Sequence, residues 1–152
     1  MAHHLLLLTP SFRLLKYYSM HLVKFTFTCL VTLSVLLFSC QEEPFQQGKK
    51  LYEIHCENCH MNDGTGLRGS IPPLAQSDYL KNHQANLACI IKYGQTDTII
   101  VNGKNYNMPM PGVSDLSEFQ IANIINYINH SWGNDYGFSK VEDIRNTLTE
   151  CE

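Results

Sequence analysis

Cys56-Glu57-Asn58-Cys59-His60 puts two thiols and an imidazole within about one helical turn of chain. Sulfurs three residues apart come to one side of such a turn, and a His directly after the second can reach whatever they hold. Four chemistries compete for this run. A thioredoxin-like dithiol needs a βαβ setting, and no strand–helix–strand pattern surrounds these residues. A structural zinc needs a second ligand pair at matching spacing, which the chain lacks. A plain disulfide has no use for His60. Covalent haem attachment uses all three groups, because the thiols add to the vinyl groups and the His ligates the iron. A second set of soft donors lies in Asn107-Met108-Pro109-Met110-Pro111-Gly112. Two methionines among prolines make poor core filler. A thioether opposite His is the ligand that raises a haem potential in electron carriers. On residue type alone, Met108 and Met110 both qualify.

The elements that must hold these groups are mostly helical. Residues 45–56 carry Phe45, Leu51, Tyr52 and Ile54 with Pro44 at the entrance, the pattern of an amphipathic helix. Gly48, one turn before Tyr52, suits a close crossing with another helix. Residues 61–74 are rich in turn formers and end in Ile71-Pro72-Pro73-Leu74, so no regular structure is expected there. A haem-binding His needs an acceptor on its other ring nitrogen, and a proline-stiffened loop can offer a carbonyl. Ser77 or Asp78 can cap a short helix over 78–83. Asn86 can cap a second over 87–93 that Gly94 stops. Residues 98–106 predict a β-hairpin turning at Asn102-Gly103. The last helix is predicted over 117–132, capped by Ser117 and stopped by Gly133, with Ile121, Ile124, Ile125 and Ile128 on one face. His130 near its end is expected at the surface.

Charge is unevenly spread. The 152 residues hold 11 Lys and Arg against 14 Asp and Glu, a formal −3. Residues 1–39 hold Arg13, Lys16 and Lys24 and no acid, so residues 40–152 carry a net −6. An acidic body of this size excludes a nucleic-acid binder, which needs a basic face, and is too short for an α/β barrel. Residues 25–38 form an uncharged apolar run preceded by His21 and Lys24. That is short for a membrane span and suits the core of an export signal. The leader is therefore expected over 1–39, with translation starting at Met20 and 1–19 outside the native protein. Leu37-Phe38-Ser39-Cys40 resembles a bacterial lipobox, which makes Cys40 a lipidation site and 40–44 a polar tether. Thiol parity agrees. Without Cys29, the exported part holds Cys40, Cys56, Cys59, Cys89 and Cys151, and lipidating Cys40 leaves an even set.

Residues 45–138 resemble class I cytochromes c, the small bacterial monohaem domains that end in Ser-Trp-Gly-Asn. The matching pieces are Cys56-Glu57-Asn58-Cys59-His60, Pro72-Pro73-Leu74, Asn102-Gly103 with Tyr106, Met110-Pro111-Gly112, and Ser131-Trp132-Gly133-Asn134. The resemblance implies a mostly α fold of roughly three to five helices around one covalently bound haem c, with a small β-hairpin. It makes Cys56 and Cys59 the thioether attachment points, His60 the proximal iron ligand and Met110 the distal one, with Met108 the alternative. Pro72 then offers its carbonyl to the His60 ring, with Pro73 second, while Tyr106, Leu74 and Trp132 keep water from the ring. Gly48 and Tyr52 cross a terminal helix at Ile124 and Tyr127. Cys89 and Cys151 lie outside this pattern, and a disulfide between them would pin a C-terminal tail, 139–152, on the domain. The expected function is one-electron transfer between redox proteins from a lipid anchor facing the periplasm or cell surface, with no small-molecule substrate and no enzyme activity of its own. The alternative is the electron-entry subunit of a larger oxidoreductase.

Overall fold

The computed structural model describes residues 10–37 and 43–151. The chain divides into two compact units, 1–42 and 43–152. In the first, α1 (Pro10–Leu37) is one continuous helix that begins on a proline, a residue tolerated at the first helical position. It is longer than the apolar run because nothing in residues 11–24 breaks a helix. Among the described residues no helix is long and apolar enough to cross a membrane. Cys40 lies outside the described residues.

The second unit is built from α2 (Gln46–His55), α3 (Glu57–His60), α4 (Asp78–Asn82), a 3₁₀ turn (Gln84–Asn86), α5 (Leu87–Tyr93), α6 (Glu118–Asn129) and α7 (Val141–Glu150). Two short antiparallel ladders sit between α5 and α6. β1 (Gly94–Gln95) pairs with β4 (Met110–Pro111), and β2 (Ile99–Val101) with β3 (Lys104–Tyr106). The fold is mostly helical, as expected. The helices outnumber the expectation because α3 is a single turn and the C-terminal tail folds as α7. That helix packs on α5 and α6 and buries Ile144.

The core sits where α2 crosses α6. Ile121, Ile124, Ile125 and Ile128 of α6 and Tyr52 of α2 are all buried. Gly48 makes the crossing possible, since a Cβ there would run into the Asn123 carbonyl and the Tyr127 Cβ. The close contact thus lies at Asn123 and Tyr127, one residue away from the expected Ile124, while Tyr52 and Tyr127 meet with ring centroids 5.4 Å apart.

Local caps explain several boundaries. Ser117 Oγ accepts from the Gln120 amide and Gln120 Oε1 accepts from the Ser117 amide, a capping box that starts α6. Ser77 Oγ accepts from the Leu80 amide at the start of α4. Asn86 makes no such bond, because it is the last residue of the 3₁₀ turn and already helical. The helix α6 ends at Asn129, short of the expected Trp132, and His130 is exposed.

Polar side chains tie the C-terminal segment down. Asn126 Nδ2 donates to the Ser139 carbonyl and Asn126 Oδ1 accepts from the Ser139 amide. Asn129, fully buried, donates to Gln84 Oε1 and to the Gly137 carbonyl. Cys89 of α5 and Cys151 after α7 form a disulfide across 62 residues of sequence. A loop of that length is worth about 4 kcal/mol in the chain-entropy account.

Candidate functional site

Cys56 closes α2, and the chain turns at once into α3, where the Cys59 and His60 amides both donate back to the Cys56 carbonyl at 3.1 and 2.9 Å. This tight turn presents Cys56, Cys59 and His60 to one wall of a cleft of about 1320 Å³, mouth included. Met108 and Met110 line the same cleft. Its surface is largely apolar, supplied by α4, α5, the β2–β3 hairpin and the inner face of α6 through residues such as Leu80, Ile91, Val101 and Ile128. Leu74 and Tyr106 line it as expected. Trp132 does not. Its left-handed backbone (φ 54°) turns the indole onto Tyr52 and Tyr127, and its ring N–H donates to the Asn62 carbonyl at 3.0 Å.

His60 is buried and its Nδ1 lies 3.2 Å from the Pro72 carbonyl oxygen. Burial pushes the imidazole pKa down, against the opposing pull of that carbonyl, so the ring is held neutral with Nε2 free to bind a metal. Pro72, not Pro73, makes this contact. The loop bearing it is held in turn: the Leu74 and Ala75 amides donate to the Gly64 carbonyl at 2.8 and 2.9 Å. Asn134, also buried, accepts from the Gln76 amide at 2.7 Å and donates to the Leu74 and Ile128 carbonyls at 3.0 and 2.8 Å. On the other side of His60, the Tyr52 hydroxyl donates to the Met61 carbonyl at 2.6 Å. The Cys56 thiol is pushed up to about 11, first by burial and then by the neighbouring Cys59. Cys59 is exposed.

The two methionines differ in how they are held. Met110 is half-buried in β4, paired with Gln95. Met108 is 54% exposed and belongs to no strand. The hairpin that follows α5 is anchored through its turn, where Asn102 and Gly103 are both left-handed. Asn102 Oδ1 accepts from the Asp78 amide and Asp78 Oδ1 accepts from the Asn102 amide, at 3.0 and 2.7 Å. That reciprocal pair docks the hairpin on the start of α4.

The residues present fit a haem. Among the described residues no group of three or more His, Cys, Asp or Glu could hold a bare ion. The cleft instead offers the buried His60, two thioether donors, two thiols and apolar walls, which is what a metal already held by a macrocycle requires. Sequence reasoning did not find Asn126 or Asn129, and it placed Asn134 in the Ser131-Trp132-Gly133-Asn134 motif without giving it a role. The first two stand three residues apart on an otherwise apolar helix face, and that polar interruption was the available signal.

The cytochrome c family matches residues 45–132. The chain is 33% identical over 90 residues to cytochrome c-552 of Thermus thermophilus, covering 57% of this chain and 68% of that protein. It is 31% identical over 105 residues to the cytochrome c subunit of a quinone alcohol dehydrogenase from Gluconobacter oxydans (strain 621H), covering 67% of this chain and 22% of the subunit. The corresponding subunit of Komagataeibacter europaeus is 35% identical over 92 residues, 57% of this chain and 19% of its own length. The chain thus spans about a fifth of the length of the dehydrogenase subunits it matches.

Proposed function

The chain belongs to the cytochrome c family, and from that premise we propose that it is a lipid-tethered one-electron carrier working outside the cytoplasm. One observation carries the reading: His60, Cys56, Cys59 and Met110 line one apolar cleft, so a haem held there would have a nitrogen and a sulfur donor for its iron. Haem c, covalently bound, supplies an iron that gains and loses one electron. Cys56 and Cys59 hold the group by thioether bonds. His60, kept neutral by burial and oriented by the Pro72 carbonyl, would supply the nitrogen ligand to its iron. Met110 would supply the sulfur ligand to that iron. The apolar walls keep water out, which with a thioether ligand favours the reduced form. The acidic body suits encounter with basic surfaces on at least one redox partner.

The test is the visible spectrum of the holoprotein, oxidised and then reduced. Low-spin haem c with a ferric sulfur-to-iron charge-transfer band is the expected result. High-spin haem, or a reduced spectrum changed by carbon monoxide at neutral pH, overturns the carrier reading in favour of ligand binding. The similarity to dehydrogenase cytochrome subunits supports a second arrangement, in which the same chemistry serves a fixed catalytic partner. Co-purification with a large catalytic chain would select it.

In this reading the leader exports the domain, and a lipid on Cys40 tethers it to a membrane surface facing the periplasm or the cell exterior. Support comes from the basic start, the apolar run, the lipobox-like Cys40 and the Cys89–Cys151 disulfide. In a bacterial host, Cys40→Ser should move the protein from the membrane fraction to the soluble fraction. Unchanged membrane association would remove the anchor.

A further inference from the structure

The end of α5 and the segment around Met110 run closer together than two backbones with side chains can. A Cβ on Gly94 would lie 2.5 Å from the Met110 carbonyl oxygen and 2.8 Å from the Gly112 nitrogen. A Cβ on Gly112 would lie 2.6 Å from the Lys92 carbonyl oxygen and 2.8 Å from the Gly94 nitrogen. The two glycines therefore share one backbone-to-backbone contact, each occupying the space that a side chain on the other would need. Two further bonds lock the same junction. The Val113 amide donates to the Ile91 carbonyl at 2.9 Å, and Lys92 Nζ donates to the Leu116 carbonyl at 2.7 Å.

We infer that Gly94 and Gly112 are positioning residues that set how far the Met110 sulfur reaches into the cleft, an inference that rests on Met110 being the distal ligand. Ordinary contact starts near 3.4 Å, so a methyl at Gly112 must separate the two segments by about 1 Å. α5 cannot give way, because Leu87, Ala88 and Ile91 are buried in the core. Pro111 and Gly112 are exposed, so the displacement falls on the Met110 segment. A thioether is a weak donor whose bond to iron is short, and a shift of that size opens it while the core stays packed.

Gly112 does not have the left-handed backbone of Gly94 (φ 91°), so Gly112→Ala tests the steric contact without conformational strain. Gly103 is the opposite control, left-handed at φ 74° with nothing within 4 Å of where a methyl would sit. The experiment compares full-length holoproteins by far-ultraviolet circular dichroism, the ferric sulfur-to-iron band and carbon monoxide binding to the reduced form. Gly112→Ala should keep its helical signal, lose the band and bind carbon monoxide. Gly103→Ala should keep the band. Met110→Ala runs alongside. If it loses the band while Gly112→Ala keeps it, the positioning role fails and the ligand stands. If Met110→Ala itself keeps the band, the ligand assignment fails. Should Gly112→Ala not accumulate, Lys92→Met removes one bond across the same junction. It should lower the temperature at which the band disappears and leave the helical melting midpoint in place. A band midpoint unchanged from the parent overturns the inference.

Discussion

Asn134→Ala should destabilise the folded holoprotein by about 2–4 kcal/mol, a large effect for one small polar side chain. The residue is 6% exposed, and its amide makes three hydrogen bonds to backbone groups 58, 60 and 6 residues away in sequence. Truncation leaves the Ile128 carbonyl without this partner in the interior, and the Gln76 amide and Leu74 carbonyl without it where they are only partly shielded from water. Each such group costs about 1–3 kcal/mol when left unmet, more than the bond itself contributes. The damage has a direction as well. Leu74 and Gln76 belong to the loop whose Pro72 carbonyl orients His60, so slack there reaches the proximal side of the site. Guanidinium unfolding of holoprotein, followed by circular dichroism, gives the free energy. A loss under about 1 kcal/mol would mean that neighbouring contacts hold the loop unaided. That would reduce Asn134 to a replaceable contact.

What could be read from the sequence divides by range. Cys56-Glu57-Asn58-Cys59-His60 was legible because its chemistry is contained in five consecutive residues. The Ser117 cap and the Asn102-Gly103 turn were legible for a similar reason, since their bonds close within a few residues. Asn134 was legible only as the end of the Ser131-Trp132-Gly133-Asn134 motif, with no role attached. Two of its three partners lie 58 and 60 residues away and are brought to it only by the tertiary fold. Trp132 misled for a related reason: its apolar bulk suggested cover for the cleft, but its backbone is left-handed and its ring packs on Tyr52 and Tyr127 instead. The α7 segment hid behind its charges. Val141, Ile144 and Leu148 form a narrow apolar stripe, and only the packing of α5 and α6 shows that one turn of it is buried.

Met110→Ala should leave haem attached, because the thioether bonds at Cys56 and Cys59 do not depend on the distal side. The midpoint potential should fall on the order of 0.1–0.3 V, a fraction of the roughly 0.8 V that axial ligation can span. The reduced form should bind carbon monoxide, which the parent should not. Met108→Ala should change the potential by no more than about a tenth of that drop. The asymmetry follows from how the two side chains are held rather than from their chemistry, which is the same. Met110 is paired with Gln95 in a ladder that is tied to α5, so its sulfur can be kept at one distance from an iron. Met108 sits two residues earlier, more than half exposed and outside any ladder, where side-chain entropy opposes holding a weak ligand. Redox titration of both variants, with carbon monoxide added to the reduced forms, separates the two residues. An exchange of the effects would make Met108 the ligand and leave the β1–β4 ladder to shape the cleft wall alone.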